Sequence, residues 1–366
     1  MRTNIVLLVV VALSGCGVSF DGGDVARSAP RTSRQPVLSC PASPAKKVFT
    51  SAMCLCGDYA AVGQGAWVQG GAAGLNGSLD VVGRHDFSGD VVAYGGVSGV
   101  GDLTVGGSLS TAGSVDTVGD IEVAGDLNAA SGVSGVGRLT VKGTLRTPEA
   151  EAWTGRASIG AKGAVEPLSG PPCGCGKDQV LDIAAVMATA IERNDNQAAG
   201  LSLHESIGER SLVLGSGSYV FDGVQAVGAH TLTVDGAVAL FVKGDFETVG
   251  STHLKLTPGS TLDLYIDGEV NMVGDSSFGE GASPGAVKLY VAGTRKLGLV
   301  GSQSVVGSIY APASDLELVG ESTFDGALFV RNVHGVGRLS VTFAGQKVAE
   351  PGDELCRAQP VVKGIE

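Results

Sequence analysis

From residue 65 to residue 147 the chain alternates between apolar and polar positions. Twelve Asp, Glu, Lys or Arg residues fall in this stretch, and all twelve have even numbers: Asp80, Arg84, Asp86, Asp90, Asp102, Asp116, Asp120, Glu122, Asp126, Arg138, Lys142 and Arg146. Strict alternation belongs to a strand with one face buried; a helix would space its charges by three and four. Odd positions therefore face inward and even positions outward. A second period of six lies over the first, x-Gly-x-[Leu/Ile/Val]-x-[Val/Thr/Ala]. Seventeen such hexads span 64–165, and Gly fills the second place in 14 of them. The segments Val100–Leu109, Val118–Leu127 and Val136–Leu145 are 18-residue copies of one another. Six is even, so the parity survives every corner, and three hexads close one triangular coil of 18 residues. The pattern predicts a β-solenoid whose coils stack Leu, Ile and Val inside, with glycine where the chain bends.

The period stops at 176–199. Val180, Ile183, Ala184, Met187 and Ile191 recur at helical spacing, which predicts a helix over Asp178–Asn194 with Asp178 as its cap, lying between two solenoid parts and covering an open coil end. From 208 to 345 a longer unit repeats: Leu240-Phe-Val-Lys-Gly, Leu264-Tyr-Ile-Asp-Gly, Leu289-Tyr-Val-Ala-Gly, Ile309-Tyr-Ala-Pro and Leu328-Phe-Val-Arg-Asn, in steps of 24, 25, 20 and 19. Each unit then reaches a Val-Gly pair, at Val249, Val273, Val300, Val319 and Val336. Steps of this length suit a second β-helix with loops at its corners. The expected fold is all-β: a hexad β-solenoid, one short linking helix and a β-helix with 19–25-residue coils. The expected boundaries are a signal peptide over 1–15, a tether over 16–50, the hexad solenoid over 51–175, a helical linker over 176–207, the second β-helix over 208–346 and a tail over 347–366.

In the second unit Leu240, Val242, Leu264, Ile266, Leu289 and Val291 share inward parity. Phe241, Tyr265, Tyr290, Tyr310 and Phe329 then face outward beside Lys243, Asp267 and Lys288, one aromatic per coil in a ladder of about 4.8 Å per rung. Two roles follow. The ladder is either a stripe that stacks on sugar rings or docks a partner, or a surface that packs against the helix or neighbouring loops.

The N-terminus reads as an address. Arg2 precedes the apolar run Ile5–Leu13, which spans about 14 Å as a helix and is too short to cross a bilayer. The junction Leu13-Ser14-Gly15-Cys16 resembles the lipobox of bacterial lipoproteins. That resemblance implies cleavage before Cys16, lipid attachment to it and anchorage in a membrane; Gly at 17, rather than Asp, implies the outer membrane. Residues 17 to about 50 are rich in Gly, Ser, Pro and Arg and read as a flexible tether.

Composition narrows the function. The chain has 366 residues, 58 glycines, 37 acidic and 25 basic side chains, and a net charge of −12. A net acidic chain with few basic clusters argues against nucleic-acid binding. Besides Cys16 there are six cysteines, Cys40, Cys54, Cys56, Cys173, Cys175 and Cys356, an even number suited to disulfides in an exported chain. Cys54-Leu-Cys56 precedes the hexads and Cys173-Gly-Cys175 follows them. Seventeen hexads separate the two pairs by about 27 Å at 4.8 Å per coil. Local bonds, from Cys40 to the first pair and from Cys356 to the second, are thus easier than a direct link, which needs the flanking segments to fold back. A four-thiolate zinc site is the alternative.

Catalytic signals are thin. The chain has no G-x-S-x-G, P-loop, HExxH or EF-hand loop, and neither metal nor cofactor is expected. His85 falls on an inward hexad place, where a packing role is expected. Asp222, Asp245, Asp263 and Asp267 follow strand-and-turn logic, although enzymes with β-helices use such residues.

The hexads resemble the hexapeptide left-handed β-helix of acyltransferases and the polymer-forming bactofilins, and the regular glycine corners are closer to the second. YVFDG, LYIDGEV, GSIYAPAS and GALFV resemble a β-helical domain of uncharacterised function found in Gram-negative surface lipoproteins and pilus-assembly-associated proteins. These resemblances imply a lipid-anchored structural or adhesive protein at the outer membrane or cell surface, non-catalytic, meeting a surface polysaccharide or a protein partner. The alternatives are a carbohydrate-binding or carbohydrate-active β-helix and a bactofilin-like scaffold that forms polymers.

Overall fold

The computed structural model describes residues 49–148, 152–192, 194–202, 206–207 and 211–343. The hexads fold as their parity requires. In the coil that begins at Leu79, the side chains of Leu79 and Val81 are buried, those of Val82 and Arg84 are exposed, and His85 and Phe87 are buried again. The strand Leu79–Phe87 thus runs down one side, turns a corner at Val82-Gly83-Arg84 and enters a second side; Val91–Ala93 forms the third. Leu79 lies beside Val97, Val97 beside Val115, and Val115 beside Val133, so each coil takes 18 residues. The inward Leu and Val side chains stack rung on rung with next to no exposure. Each contributes roughly 1.5–3 kcal/mol by burial.

The Val-Gly corner admits no other residue in its second place. Gly101 has φ +141°, and a Cβ on it would lie 1.9 Å from the Gly83 carbonyl oxygen. Other corners are closed by side chains from the coil before. Asp90 Oδ1 accepts from the Ser108 N–H at 2.8 Å, and Asp126 Oδ1 from the Thr144 N–H at 2.7 Å. These even-numbered aspartates therefore bind backbone.

The second half keeps its own steps. Leu240, Leu264, Leu289, Ile309 and Leu328 occupy one inward row. The row then continues into Met53. The strand Leu328–Thr342 pairs in parallel with Ser308–Asp325 on one edge and with Met53–Leu55 and Tyr59–Gln69 on the other. The two repeat units are thus one continuous stack, in which the first coil of the chain sits on its last. Across this junction Asn332 Oδ1 accepts from the Asp58 N–H at 2.7 Å. Asp315, one coil back, holds Arg331 and Asn332 in place. Arg331 Nε and Nη2 donate to its two oxygens at 2.7 and 2.5 Å, and Asn332 Nδ2 donates at 2.7 Å. Arg331 holds the Asp315 carboxyl below the usual carboxylate range.

This order requires the chain to travel back. After the strand Ala152–Gly163 it reverses and runs the length of the stack over the third side. Its fastenings mark the route. Asn128 Nδ2 donates to the Glu166 carbonyl at 2.7 Å while the Glu166 N–H donates to Asn128 Oδ1 at 3.0 Å. Asn76 makes the same pair of bonds with Cys173, both at 2.9 Å. The Leu181 N–H donates to the Tyr310 hydroxyl at 2.9 Å. In each case a side chain from the stack satisfies strap backbone that would otherwise be stranded.

The strap ends in a helix, α1, Ile183–Ile191, with Asp182 as N-cap accepting from the Ala185 N–H. Two expectations are corrected here. The helix begins later than Asp178, because residues 173–181 are spent on the cysteine links and the Tyr310 hydroxyl. It also lies at the far end of the second unit, against the strands Leu212–Phe221 and Gly223–Val242, and not between the two units. Beyond it, Asn196 closes the terminal strand edge: Oδ1 accepts from the Val220 N–H at 2.9 Å and Nδ2 donates to the Val220 carbonyl at 2.6 Å. At the opposite end, the strand Ala152–Gly163 pairs on one edge only among the described residues, and almost all of its residues are exposed.

Candidate functional site: a strapped face and a valine ridge

Two outward rows run the length of the stack, and they differ in what covers them. The first lies on the third side. Val220, Phe241, Tyr265, Tyr290, Tyr310, Phe329 and Cys54 follow one another rung by rung, and Gly74 comes next. Phe241 and Tyr265 stack with centroids 4.8 Å apart at 10°, and Tyr265 and Tyr290 at 4.6 Å and 15°. Tyr310 meets Phe329 at 5.1 Å and Phe49 edge-on at 6.2 Å. The outward ladder predicted from parity is real, and its rings are buried. None of the five is more than 5% exposed. The expected alternative of an open stripe for sugars or a partner is corrected: the returning chain and α1 occupy that face. Burial raises the Tyr310 hydroxyl above the ordinary tyrosine range, and the Leu181 N–H opposes that rise.

The same row explains the cysteines. Cys54 is bonded to Cys173 and Cys56 to Cys175. The strap brings the second pair back over the first coil, so the expectation of local bonds is overturned by the fold-back, and the zinc alternative falls because all four sulfurs are spent. Gly74 makes room for the strap, since a Cβ there would stand 3.2 Å from Cys173 Sγ and from Pro172. Cys16, Cys40 and Cys356 lie outside the described residues.

The four aspartates singled out in the second unit have separate surroundings. Asp222 pairs with Lys243, and Asp263 with the buried Lys288 at 3.7 Å. Asp245 Oδ1 accepts from the Glu269 N–H at 2.8 Å, and Asp267 is exposed. A cavity of about 20 Å³ beside His230, Thr248 and Thr252 has room for a single water. Among the described residues no group of three His, Cys, Asp or Glu side chains is placed to hold a metal ion. His85 is fully buried on its inward place, edge-on to Tyr59 at 5.7 Å. Burial pushes its pKa down to about 4, with the Gly83 backbone opposing.

The second row is open. Val227, Val249, Val273, Val300, Val319, Val336, Val62, Val82, Val100, Val118 and Val136 stand in consecutive rungs, with Thr154 completing the row. It crosses the junction between the two units without a break. Every exposed large hydrophobic side chain among the described residues belongs to it: nine of the eleven valines, from 40% exposed at Val82 to 69% at Val227. The signal was present in the sequence as Val-Gly pairs in both units. What sequence reasoning missed is that they form one row, which depends on the stacking order.

The fold defines a β-solenoid protein whose aromatic face is sealed by its own chain. Residues 177–346 match the model of a domain of unknown function (DUF7305), a span that takes in the end of the strap, α1 and the longer-coiled unit. No curated protein matches the chain. Among solved structures it is similar to an ice binding protein from an Antarctic bacterium Flavobacteriaceae, at 10% identity and a TM-score of 0.22, over 83% of this chain and 98% of that one. No helix among the described residues is long and apolar enough to cross a membrane.

Proposed function

We propose that this protein is a non-catalytic structural or adhesive rod, exported and held at the outer membrane or cell surface by a lipid on Cys16. The observation that carries the reading is the pair of disulfides, Cys54–Cys173 and Cys56–Cys175, that clamp the returning chain over the stack. Bonds of this kind form and persist in an oxidising compartment. The apolar run Ile5–Leu13 and the junction at Cys16 supply the route there. Such a rod offers length, rigidity and a repeated surface.

The tether and the tail join the described rod at Phe49 and Phe343, both in the coils at the junction. The Phe343 N–H donates to Gln69 O at 2.8 Å, and Phe49 packs on Tyr310. An anchor on Cys16 thus holds the rod near its middle, with the strapped side next to the tether and the valine row at the corner opposite that side. Metabolic labelling with a fatty-acid probe in a bacterial host tests the anchor. The parent should carry the label and fractionate with outer membrane, and Cys16→Ala should lose the label and appear in the soluble exported fraction. An unlabelled parent in the cytosol overturns the reading. The carbohydrate-binding alternative loses its best surface, because the aromatic ladder it needs lies under the strap.

A further inference from the structure

We infer that the valine row is a self-association surface, along which two copies of this chain lie side by side. Isolated exposed valines need no explanation. Here all nine exposed large hydrophobics among the described residues stand in one line. The outward row two places before each valine varies freely, as Asp80, Ser98, Asp116 and Ser134 show, so the fold does not dictate repetition at an outward place. On the other side of each valine lies a glycine with positive φ, as at Gly83, Gly101, Gly119 and Gly137. The valines therefore rise as a ridge beside bare backbone. Beyond the glycines come the charged groups Arg338, Arg84, Asp102, Asp120 and Arg138, so an apolar strip is rimmed by polar groups, the pattern of an interaction surface.

The dimensions select the occupant. Eleven rungs at about 4.8 Å make a ridge about 48 Å long. A contact strip about 12 Å wide, covering the ridge, its glycine margin and the polar row on either side at about 3.4 Å per strand position, removes about 600 Å² from each of two copies. The total, about 1,200 Å², reaches the lower bound of stable specific interfaces. A shorter partner would cover only part of the ridge. A matching partner must be straight, equally long and ridged at the same spacing, and a second copy meets all three conditions, with valines of one copy lying against the ridge and glycine margin of the other. The strapped face offers no such surface, since its apolar row is already buried.

The chain from residue 17 onward, studied by sedimentation velocity over a hundredfold range of concentration, tests this. The parent should pass from monomer to dimer, and sodium sulfate should strengthen the dimer, as burial of apolar surface requires. The variant Val82→Thr/Val100→Thr/Val118→Thr/Val136→Thr keeps side-chain shape and β-branching, and threonine already stands in this row at 154. It should raise the dissociation constant at least tenfold with an unchanged melting temperature. A control, Asp80→Thr/Asp116→Thr on the neighbouring outward row, should still dimerise. A parent that stays monomeric throughout, a dimer that salt dissolves, or a four-threonine variant that associates as well as the parent overturns the inference.

Discussion

Cys54 follows Phe329 in the same outward row, so a cysteine near the start of the described chain occupies the rung after the last aromatic of the longer-coiled unit. The disulfide from Cys54 to Cys173 then lays the strap over the end of that row. The two bonds interleave along the chain, each closing a loop with a sequence separation of 119. They should act redundantly, since either one alone holds the strap. Cys54→Ser/Cys173→Ser or Cys56→Ser/Cys175→Ser should cost about 1 kcal/mol or less in denaturant unfolding, and removal of all four about 4–5 kcal/mol. Additive losses would mean that the two bonds restrain different segments.

The aromatic row is expected to act through packing. Tyr265→Ser and Tyr290→Ser should each lower stability by about 3–5 kcal/mol, because each removes a fully buried ring from a stack. Neither should change binding in a glycan-array screen. Tyr310→Phe should cost about 1–2 kcal/mol by leaving the Leu181 N–H without its acceptor. Glycan binding that disappears with Tyr265 or Tyr290 at unchanged melting temperature would contradict the sealed face.

Acid should weaken the rod through His85. Its folded pKa of about 4 lies below the ordinary 6.5, so the unfolded chain takes up the proton first. Stability from this site is full above about pH 6.5 and is lost as pH falls toward 4, by about 3 kcal/mol. The same inward row carries Leu103, Ile121 and Leu139 in the following rungs. His85→Leu should therefore fold and flatten this part of the pH dependence, read from urea midpoints at pH 7 and pH 4.5. An unchanged slope would place the titration elsewhere.

The sequence disclosed rows and hid order. Parity assigned Leu103 inward and Asp102 outward because a strand alternates, and the structure agrees. The repeats placed Phe241, Tyr265 and Tyr290 in one row for the same reason. Repetition says which residues align along a stack, but it is silent on which coil meets which end. Met53 beside Leu328 is a contact between the two extremes of the described chain, and no local pattern encodes it. The pairing of Cys54 with Cys173, the burial of Tyr290 and the late start of α1 all follow from that one contact, so all three were beyond a local reading. The continuity of Val336 with Val62 was hidden likewise, although each Val-Gly pair was in plain view.

Peptide mapping of the unreduced protein tests the central claim most directly. If the first coil sits on the last and the chain returns over it, the Cys54–Cys56 peptide should be joined to the Cys173–Cys175 peptide by two bonds. A Cys54–Cys56 peptide joined to Cys40, or a Cys173–Cys175 peptide joined to Cys356, would contradict the returning strap and the stacking order that depends on it.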